Sequence, residues 1–251
     1  MRLYFEDEAI QLWNGDARKL DIVADESADL VFICPPWWDS GDYDHPDQIG
    51  FGQTYEAYLE ALNQLWREGY RCLKPGRTLV AWVSDLLWRD KPVPLVADVH
   101  NLLRHNRFLY EMTYYWYEPR VATGLSNAPC TPMQIRPNVH AEVLLVYRKP
   151  GEAVLPPPEI VEASRIDPKE YQESRQAIWT PGGALDHPYA RVIRLWSYTD
   201  DLILNPCAGQ GTIPLLARHM GRRCVAIELN ATYCDHIAEL LKVPVLPTEL
   251  R

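Results

Sequence analysis

The sequence predicts an α/β fold with a mostly parallel central sheet and an antiparallel strand pair at one end. Three observations predict it. Strand-like and helix-like segments alternate along the chain. Two strands, "ADLVFIC" at 28–34 and "TLVAWVS" at 78–84, carry unbroken apolar runs, as strands covered on both faces do. Near the C-terminus, "DLILNPCAGQGTIPLLARHMGRRCVAIELN" reads strand, Gly-rich turn, helix, strand, acid.

The elements follow in order. "AIQLWNG", 9–15, is a strand closed by Asn14-Gly15. After 28–34, Thr54 is placed to cap a helix whose apolar face holds Tyr58, Leu62, Leu65, Trp66 and Leu73. Lys74-Pro75-Gly76 is expected to stop that helix before the strand 78–84. Residues 93–107 are helical again, and "FLYEMTYYWYE" and "HAEVLLVYRK" form the antiparallel pair, with a proline-rich loop, 119–138, between them. Residues 150–186 are polar and weakly periodic, a linker or small insertion. "YARVIRLWSY" is a helix, Leu202–Leu204 a strand, and Ile213–Met220 a helix ended by Gly221. Val225–Ile227 form a strand ending in Glu228, and Asn230 caps a last helix carrying Tyr233, Ile237 and Leu240. The chain thus divides into a first half, 1–149, an insertion, 150–178, and a second half, 179–251.

Composition bounds the function classes. The 251 residues suit one domain. No apolar run approaches the ~20 residues that cross a bilayer, and the start, MRLYFEDEAI, lacks a basic, apolar leader. A cytoplasmic location without membrane attachment is expected. Six cysteines form no C-x-x-C pair, and no His/Cys cluster has zinc spacing, so no metal is expected. Net charge is −9, but residues 1–60 alone hold fourteen acids against three bases. The remainder is slightly basic, which leaves room for an anionic partner.

Gly209 and Gly211 make the turn after strand 202–204, where the lack of a Cβ lets a ligand approach closely. Glu228, nineteen residues beyond Gly209, falls where an acid accepts hydrogen bonds from a ribose. A third glycine of the dinucleotide fingerprint is missing, since Ile213-Pro214 follow the turn. A nucleoside cofactor without a pyrophosphate fits better than NAD or FAD.

"NPCAGQGT", Asn205 to Thr212, followed by "AIELN", resembles the S-adenosyl-L-methionine segment of DNA amino-methyltransferases, whose usual form is Asp-Pro-Phe-x-Gly-x-Gly-Thr. Asn205 and Cys207 depart from it. The same family carries Asp/Asn/Ser-Pro-Pro-aromatic at a strand end, and Cys34-Pro35-Pro36-Trp37 matches three of its four positions. An exocyclic amino group is a poor nucleophile because its lone pair is conjugated into the ring. Acceptors from the first side chain and the Pro35 carbonyl can hold its hydrogens and aim the lone pair. The prolines fix the backbone, and Trp37 offers a stacking face for a flipped base. Trp38 fits either the pocket wall or the core.

The target motif precedes the cofactor motif, the permuted order of the β class of these enzymes. "NGDA", "CLKPGRTLVAWVSD" and "NVHAEVLLVYRK" resemble that class too, as does "IWTPGGALDHPYARVIRLW" through His187-Pro188. The resemblance implies a Rossmann-like AdoMet-dependent methyltransferase fold. It also implies a cofactor site from Asp16, Ala17, Cys34, Thr180, His187, Asn205, Pro206, Cys207, Ala208, Gly209, Gly211, Thr212, Glu228 and Leu229. Asp16 would contact the adenine, and the segment 178–196 would fold over the methionine end. The substrate implied is double-stranded DNA, and the class allows a homodimer and a separate restriction endonuclease as partners.

Cys34 is the main departure, because a thiol accepts hydrogen bonds more weakly than oxygen. It is nearest in shape to Ser, the residue commonest at this position among the N4-cytosine enzymes of the family, so the resemblance favours N4-cytosine over N6-adenine. C5-cytosine chemistry needs a Pro-Cys nucleophile, and Pro129-Cys130 and Pro206-Cys207 stand in the wrong places for it. Other readings stay open: transfer to RNA, a protein amide or a small amine, or a catalytically weak AdoMet-binding module. Arg120, Arg136, Arg165, Lys169 and Arg175 are the candidate DNA contacts.

Overall fold

A computed structural model describes residues 1–89, 91–118, 141–181 and 187–243. The chain opens with strands β1 (Arg2–Glu6), β2 (Ile10–Asn14) and β3 (Ala28–Ile33), then helix α1 (Tyr55–Cys72). Next come β4 (Leu73–Val83), the short hairpin β5 (Leu86–Trp88) and β6 (Lys91–Val93), and α2 (Leu95–His105). Strands β7 (Leu109–Tyr117) and β8 (Ala141–Arg148) precede α3 (Pro158–Ala163), α4 (Pro168–Ser174) and β9 (Ile178–Trp179). The last unit is α5 (Pro188–Trp196), β10 (Leu202–Asn205), α6 (Thr212–His219), β11 (Arg223–Glu228) and α7 (Ala231–Lys242).

One nine-stranded sheet runs β1-β2-β11-β10-β3-β4-β8-β7-β9. Its centre, from β2 to β4, is parallel throughout. The expected antiparallel pair, β7 and β8, lies toward one end and joins the parallel part through β4. Every residue of β3 is buried, as its unbroken apolar run requires when helices cover both faces. Helices α1 and α2 pack on one face, around Tyr58, Leu62, Leu65 and Trp66. Helices α5, α6 and α7 cover the other, around Ile193, Leu216 and Ile237.

Several elements differ from expectation. β1 pairs antiparallel with β2 at the sheet edge, and its exposed, charged sequence carried no strand signal. α1 starts where Thr54 caps it, its hydroxyl accepting from the Ala57 N–H at 3.3 Å. It ends at Cys72, one residue before Leu73, which is buried and pairs with Ala28 as the first residue of β4. Lys74-Pro75-Gly76 therefore lies inside that strand. Gly76, at φ +71°, bends it so closely over Ala153 that a Cβ would come within 2.2 Å of the Ala153 nitrogen. The polar 150–178 segment forms two short helices, each opened by a proline. Beyond it, β9 adds the buried Trp179 to the sheet beside β7.

The topology places a crevice. From β3 the chain crosses through α1 to β4; from β10 it crosses through α6 to β11, on the opposite side. β3 and β10 are neighbours, so the connections diverge between their carboxyl ends. That is where ligands enter open parallel sheets.

Candidate active site

The turn after β10 is built on backbone geometry. Gly209 and Gly211 sit at φ +54° and +85°, left-handed conformations that favour glycine. Their roles differ. Among the described residues, a Cβ on Gly209 would meet nothing within 4 Å, whereas one on Gly211 would lie 2.9 Å from Ile237 Cγ1. Gly209 keeps the cleft open, while Gly211 lets α7 pack against the turn, a role the spacing alone does not reveal. Thr212 begins α6, and Ala208 is buried behind the cleft, its N–H donating to the Ile227 carbonyl at 2.9 Å.

Glu228 ends β11 at the crevice. Its Oε2 accepts from the Gly209 N–H at 2.8 Å and its Oε1 from the Asn230 N–H at 2.8 Å. Burial raises its pKa above the usual glutamate range, and those backbone donors offset only part of the rise. One donor per oxygen leaves lone pairs for further donors.

Gly209 and Glu228 share a cleft with Asp16, Ala17, Cys34, Pro35, Pro36, Pro206, Cys207 and Leu229. The cleft spans about 660 Å³, counting its open mouth, within the range of small-molecule sites. Segments from opposite ends of the chain thus line one site. Asp16 stands on the far side from β3. Its carboxylate pairs with Arg18 in a fork, Nη2 to Oδ2 at 2.7 Å and Nε to Oδ1 at 2.9 Å. Burial alone would raise the Asp16 pKa, but the Arg18 guanidinium and N–H outweigh it and hold the carboxyl low.

Sequence reasoning missed six cleft residues: Gly15, Tyr43, Gln48, Ile49, Ile227 and Tyr233. Tyr43, Gln48 and Ile49 belong to the β3–α1 loop, which is strapped down by long-range bonds. Asn230 Nδ2 donates to the Tyr43 carbonyl at 2.6 Å, and Arg18 Nη2 to the Asp47 carbonyl at 3.0 Å. Within the loop, Tyr43 N–H donates to Gln48 Oε1 at 2.6 Å. Loop residues tied by such remote partners have no periodicity to betray them. Tyr233 lies on the helix expected there, one turn after its Asn230 cap.

The two tryptophans after the prolines separate. Trp38 is core: its ring packs at 4.9 Å on both Tyr55 and Trp88, and its indole N–H donates to the Gln53 carbonyl at 2.9 Å. Trp37 stays half-buried. Pro35 is buried, and the Pro36 carbonyl accepts from the Tyr58 hydroxyl at 2.9 Å, which locks the corner onto α1.

Asn205 is fully buried behind the cleft. Its Nδ2 donates to the Phe32 carbonyl at 3.0 Å and ties β10 to β3, while its Oδ1 has no partner among the described residues. His187 caps α5 through Nδ1 to the Tyr189 N–H at 3.2 Å, and burial lowers its pKa. The Thr180 carbonyl accepts from Arg191. Neither Thr180 nor His187 lines the cleft, and 182–186, between them, lie outside the described residues. So do Arg120 and Arg136. Arg165 pairs with Glu162 at 2.5 Å, on α3, which borders the amino ends of the parallel strands, opposite the cleft. Lys169 lies 4.0 Å from Glu173, and Arg175 ends α4.

The N6_N4_Mtase family model, described as DNA methylase, matches residues 28–239. The chain belongs to this DNA amino-methyltransferase family. Within the family, it is 26% identical to the type II methyltransferase M.SmaI of Serratia marcescens, over 88% of this chain and 87% of that protein. The crystal structure of TTHA0409 from Thermus thermophilus, complexed with S-adenosyl-L-methionine, superposes with a TM-score of 0.78 at 30% identity. That match covers 94% of this chain and 96% of TTHA0409. The cytosine-N4-specific PvuII DNA methyltransferase shares the fold, with a TM-score of 0.69 at 14% identity over 99% of this chain and 92% of its own. The Rossmann-like methyltransferase fold expected from the motifs is thus the fold of the family.

Proposed function

We propose that this chain transfers a methyl group from S-adenosyl-L-methionine to the exocyclic amino group of a flipped base in double-stranded DNA, with N4 of cytosine favoured over N6 of adenine. One observation carries the reading: Cys34-Pro35-Pro36 and the Gly209–Glu228 cradle face each other across a single cleft. An amine held by the first and a cofactor held by the second would meet there.

The residues fit the cofactor. Glu228 offers lone pairs for a ribose diol, and the open space at Gly209 admits the ligand against the turn. Asp16 would receive the adenine amino group, and Tyr43, Ile227, Leu229 and Tyr233 provide apolar surface for its ring. Bound AdoMet supplies an electrophilic methyl on a sulfonium. The protein's task is to aim the amine. Pro35 and Pro36 hold the corner rigid, Cys34 presents its side chain to the amine, and Trp37 stacks on the base. The cytosine preference is supported by Cys34 being closest in shape to serine.

The test is transfer of labelled methyl from AdoMet to duplex DNA, followed by nucleoside mass spectrometry. N4-methylcytosine is expected. N6-methyladenine would reverse the base preference. Label on RNA, protein or small amines but not on duplex DNA would overturn the reading. Methylome sequencing of a host expressing the chain gives the recognition site.

A further inference from the structure

Under the function proposed above, a base enters the cleft at the Cys34–Trp37 corner while the rest of the duplex stays outside. The phosphates flanking that base then lie over the rim of the cleft, where positive charge would hold them. The β3–α1 loop at that rim brings acids instead: Asp39, Asp42, Asp44 and Asp47. Arg18, at the same end, is occupied by the Asp16 fork.

The β5–β6 hairpin supplies the missing charge. β4 runs parallel to β3, so both strands end at the crevice. The hairpin begins at Leu86, just beyond the end of β4 at Val83. Leu86 and Val93, a cross-strand pair, are buried and root it in the core. Trp88 fastens it to the corner. Its ring lies 4.9 Å from that of Trp38 at an interplanar angle of 33°, and its indole N–H donates to Asp39 Oδ2 at 2.7 Å. Trp38 and Asp39 directly follow Trp37, so the hairpin and the corner form one packed unit.

Two cations stand at its tip. Arg89 and Lys91 are exposed, and neither forms an ion pair among the described residues. Asp39 already has a donor on each oxygen, from Trp88 and from the Gly52 N–H at 3.0 Å. The Arg89 guanidinium lies over the Trp88 ring, its Cζ 4.3 Å from the centroid. Stacking uses the flat face of the guanidinium and leaves its N–H edge available to an oxyanion. Arg89 also sits at φ +47°. Tight hairpin turns fill such positions with Asn, Asp or Gly, and an arginine there carries backbone strain. An exposed side chain gains no burial to offset that strain, so its value lies in what it meets outside the fold.

We propose that the β5–β6 hairpin is a DNA-contacting element, in which Arg89 and Lys91 bind backbone phosphates beside the base held at the corner. The inference rests on the function proposed above. It puts the contact at the carboxyl ends of the strands. Arg165, by contrast, pairs with α3, which borders the amino ends. Phosphate contacts carry no base preference but fix the register of the duplex on the protein. Trp88 holds these cations and the corner in fixed relation, so that register is also the register of the target base.

The test is binding of the full chain to a short duplex, followed by fluorescence anisotropy over a range of salt. Each phosphate contact contributes a slope of about 0.9 to the fall of log K with log salt. Arg89→Gln with Lys91→Gln should flatten the slope by about 1.8. It should weaken binding at low salt at least about tenfold, as loss of charge-assisted bonds does. The loss should be alike for duplexes of different sequence. Arg89→Gly with Lys91→Gln should flatten the slope equally while melting no lower than the parent, because glycine accepts the left-handed φ. AdoMet affinity should hold in both, and Arg165→Ala should keep the parent slope. Flattening by less than about 0.5 in both double variants, or equal flattening by Arg165→Ala, overturns the proposal. A parent chain that neither binds nor methylates duplex DNA overturns the proposed function itself. A parent that does both, with the slope unaltered in the variants, overturns the hairpin's role alone.

Discussion

Glu228 and Gly209 are joined by a hydrogen bond of 2.8 Å from the glycine N–H to the carboxylate. The bond links the tip of β11 to the turn after β10, so the acid is oriented by the same loop that forms the floor of the cleft. Its second oxygen is fixed by the Asn230 N–H. Preorganisation of this kind removes the cost of ordering the acceptor when a ligand arrives.

Replacing Glu228 should weaken AdoMet binding. Glu228→Ala is expected to raise Kd at least about tenfold, since two charge-assisted hydrogen bonds are lost. Acidification should act the same way. The folded-state pKa of Glu228 is raised, so its ionisation costs stability above that pKa, and the cost disappears as pH falls through it. The protonated acid has less acceptor capacity for a ribose. AdoMet affinity should therefore fall on acidification before an ordinary glutamate would protonate, near pH ~4.3. Calorimetry across pH checks this, and Glu228→Ala should lack this acid limb.

The adjacent tryptophans should give opposite phenotypes. Trp37→Ala should abolish most methyl transfer while leaving AdoMet affinity and melting temperature close to the parent. Trp38→Ala should instead cost about 3–5 kcal/mol of stability, as large buried aromatics do, because it empties the space between Tyr55 and Trp88. Denaturant unfolding and calorimetry on both variants separate the two. Loss of AdoMet binding in Trp37→Ala would count against its role at the base.

The two turn glycines should separate in the same way. Gly211→Ala drives a methyl into Ile237 at a left-handed φ, and about 2–4 kcal/mol of destabilisation is expected from strain and overpacking together. Gly209→Ala carries the φ penalty, about 1 kcal/mol, but its methyl meets no atom of the described residues within 4 Å. Its methyl should obstruct the ligand, so its main effect should be on AdoMet affinity. Thermal melts with and without AdoMet distinguish the two outcomes.

Asn230 joins α7 to the β3–α1 loop. Its Oδ1 caps the helix through the Thr232 N–H at 2.7 Å, and its Nδ2 holds the Tyr43 carbonyl. Asn230→Ala should cost about 1 kcal/mol for the lost cap. Amide hydrogen exchange should accelerate across 42–49, and AdoMet affinity should fall with it. Unchanged exchange in that segment would show that the loop is held by Arg18 instead.

The sequence by itself determined the parallel core, the order of its crossovers and the two motifs. Each is written in local chemistry: unbroken apolar runs for β3 and the latter part of β4, glycines at positive φ after β10, consecutive prolines after β3, an acid at the end of β11. What has no local signature was decided by the tertiary structure. β1 is a strand only because β2 offers an edge. α1 yields at Leu73 because that side chain is buried beside Ala28. Gly211 serves α7 rather than the ligand because Ile237 lies against it. Trp37 and Trp38 are identical in composition and adjacent in the chain, and only packing tells the half-buried ring from the core one. Tyr43 and Gln48 enter the cleft on a loop tied down by residues far away in sequence. Such contacts depend on where the sheet brings its strand ends together, which no short window of sequence encodes.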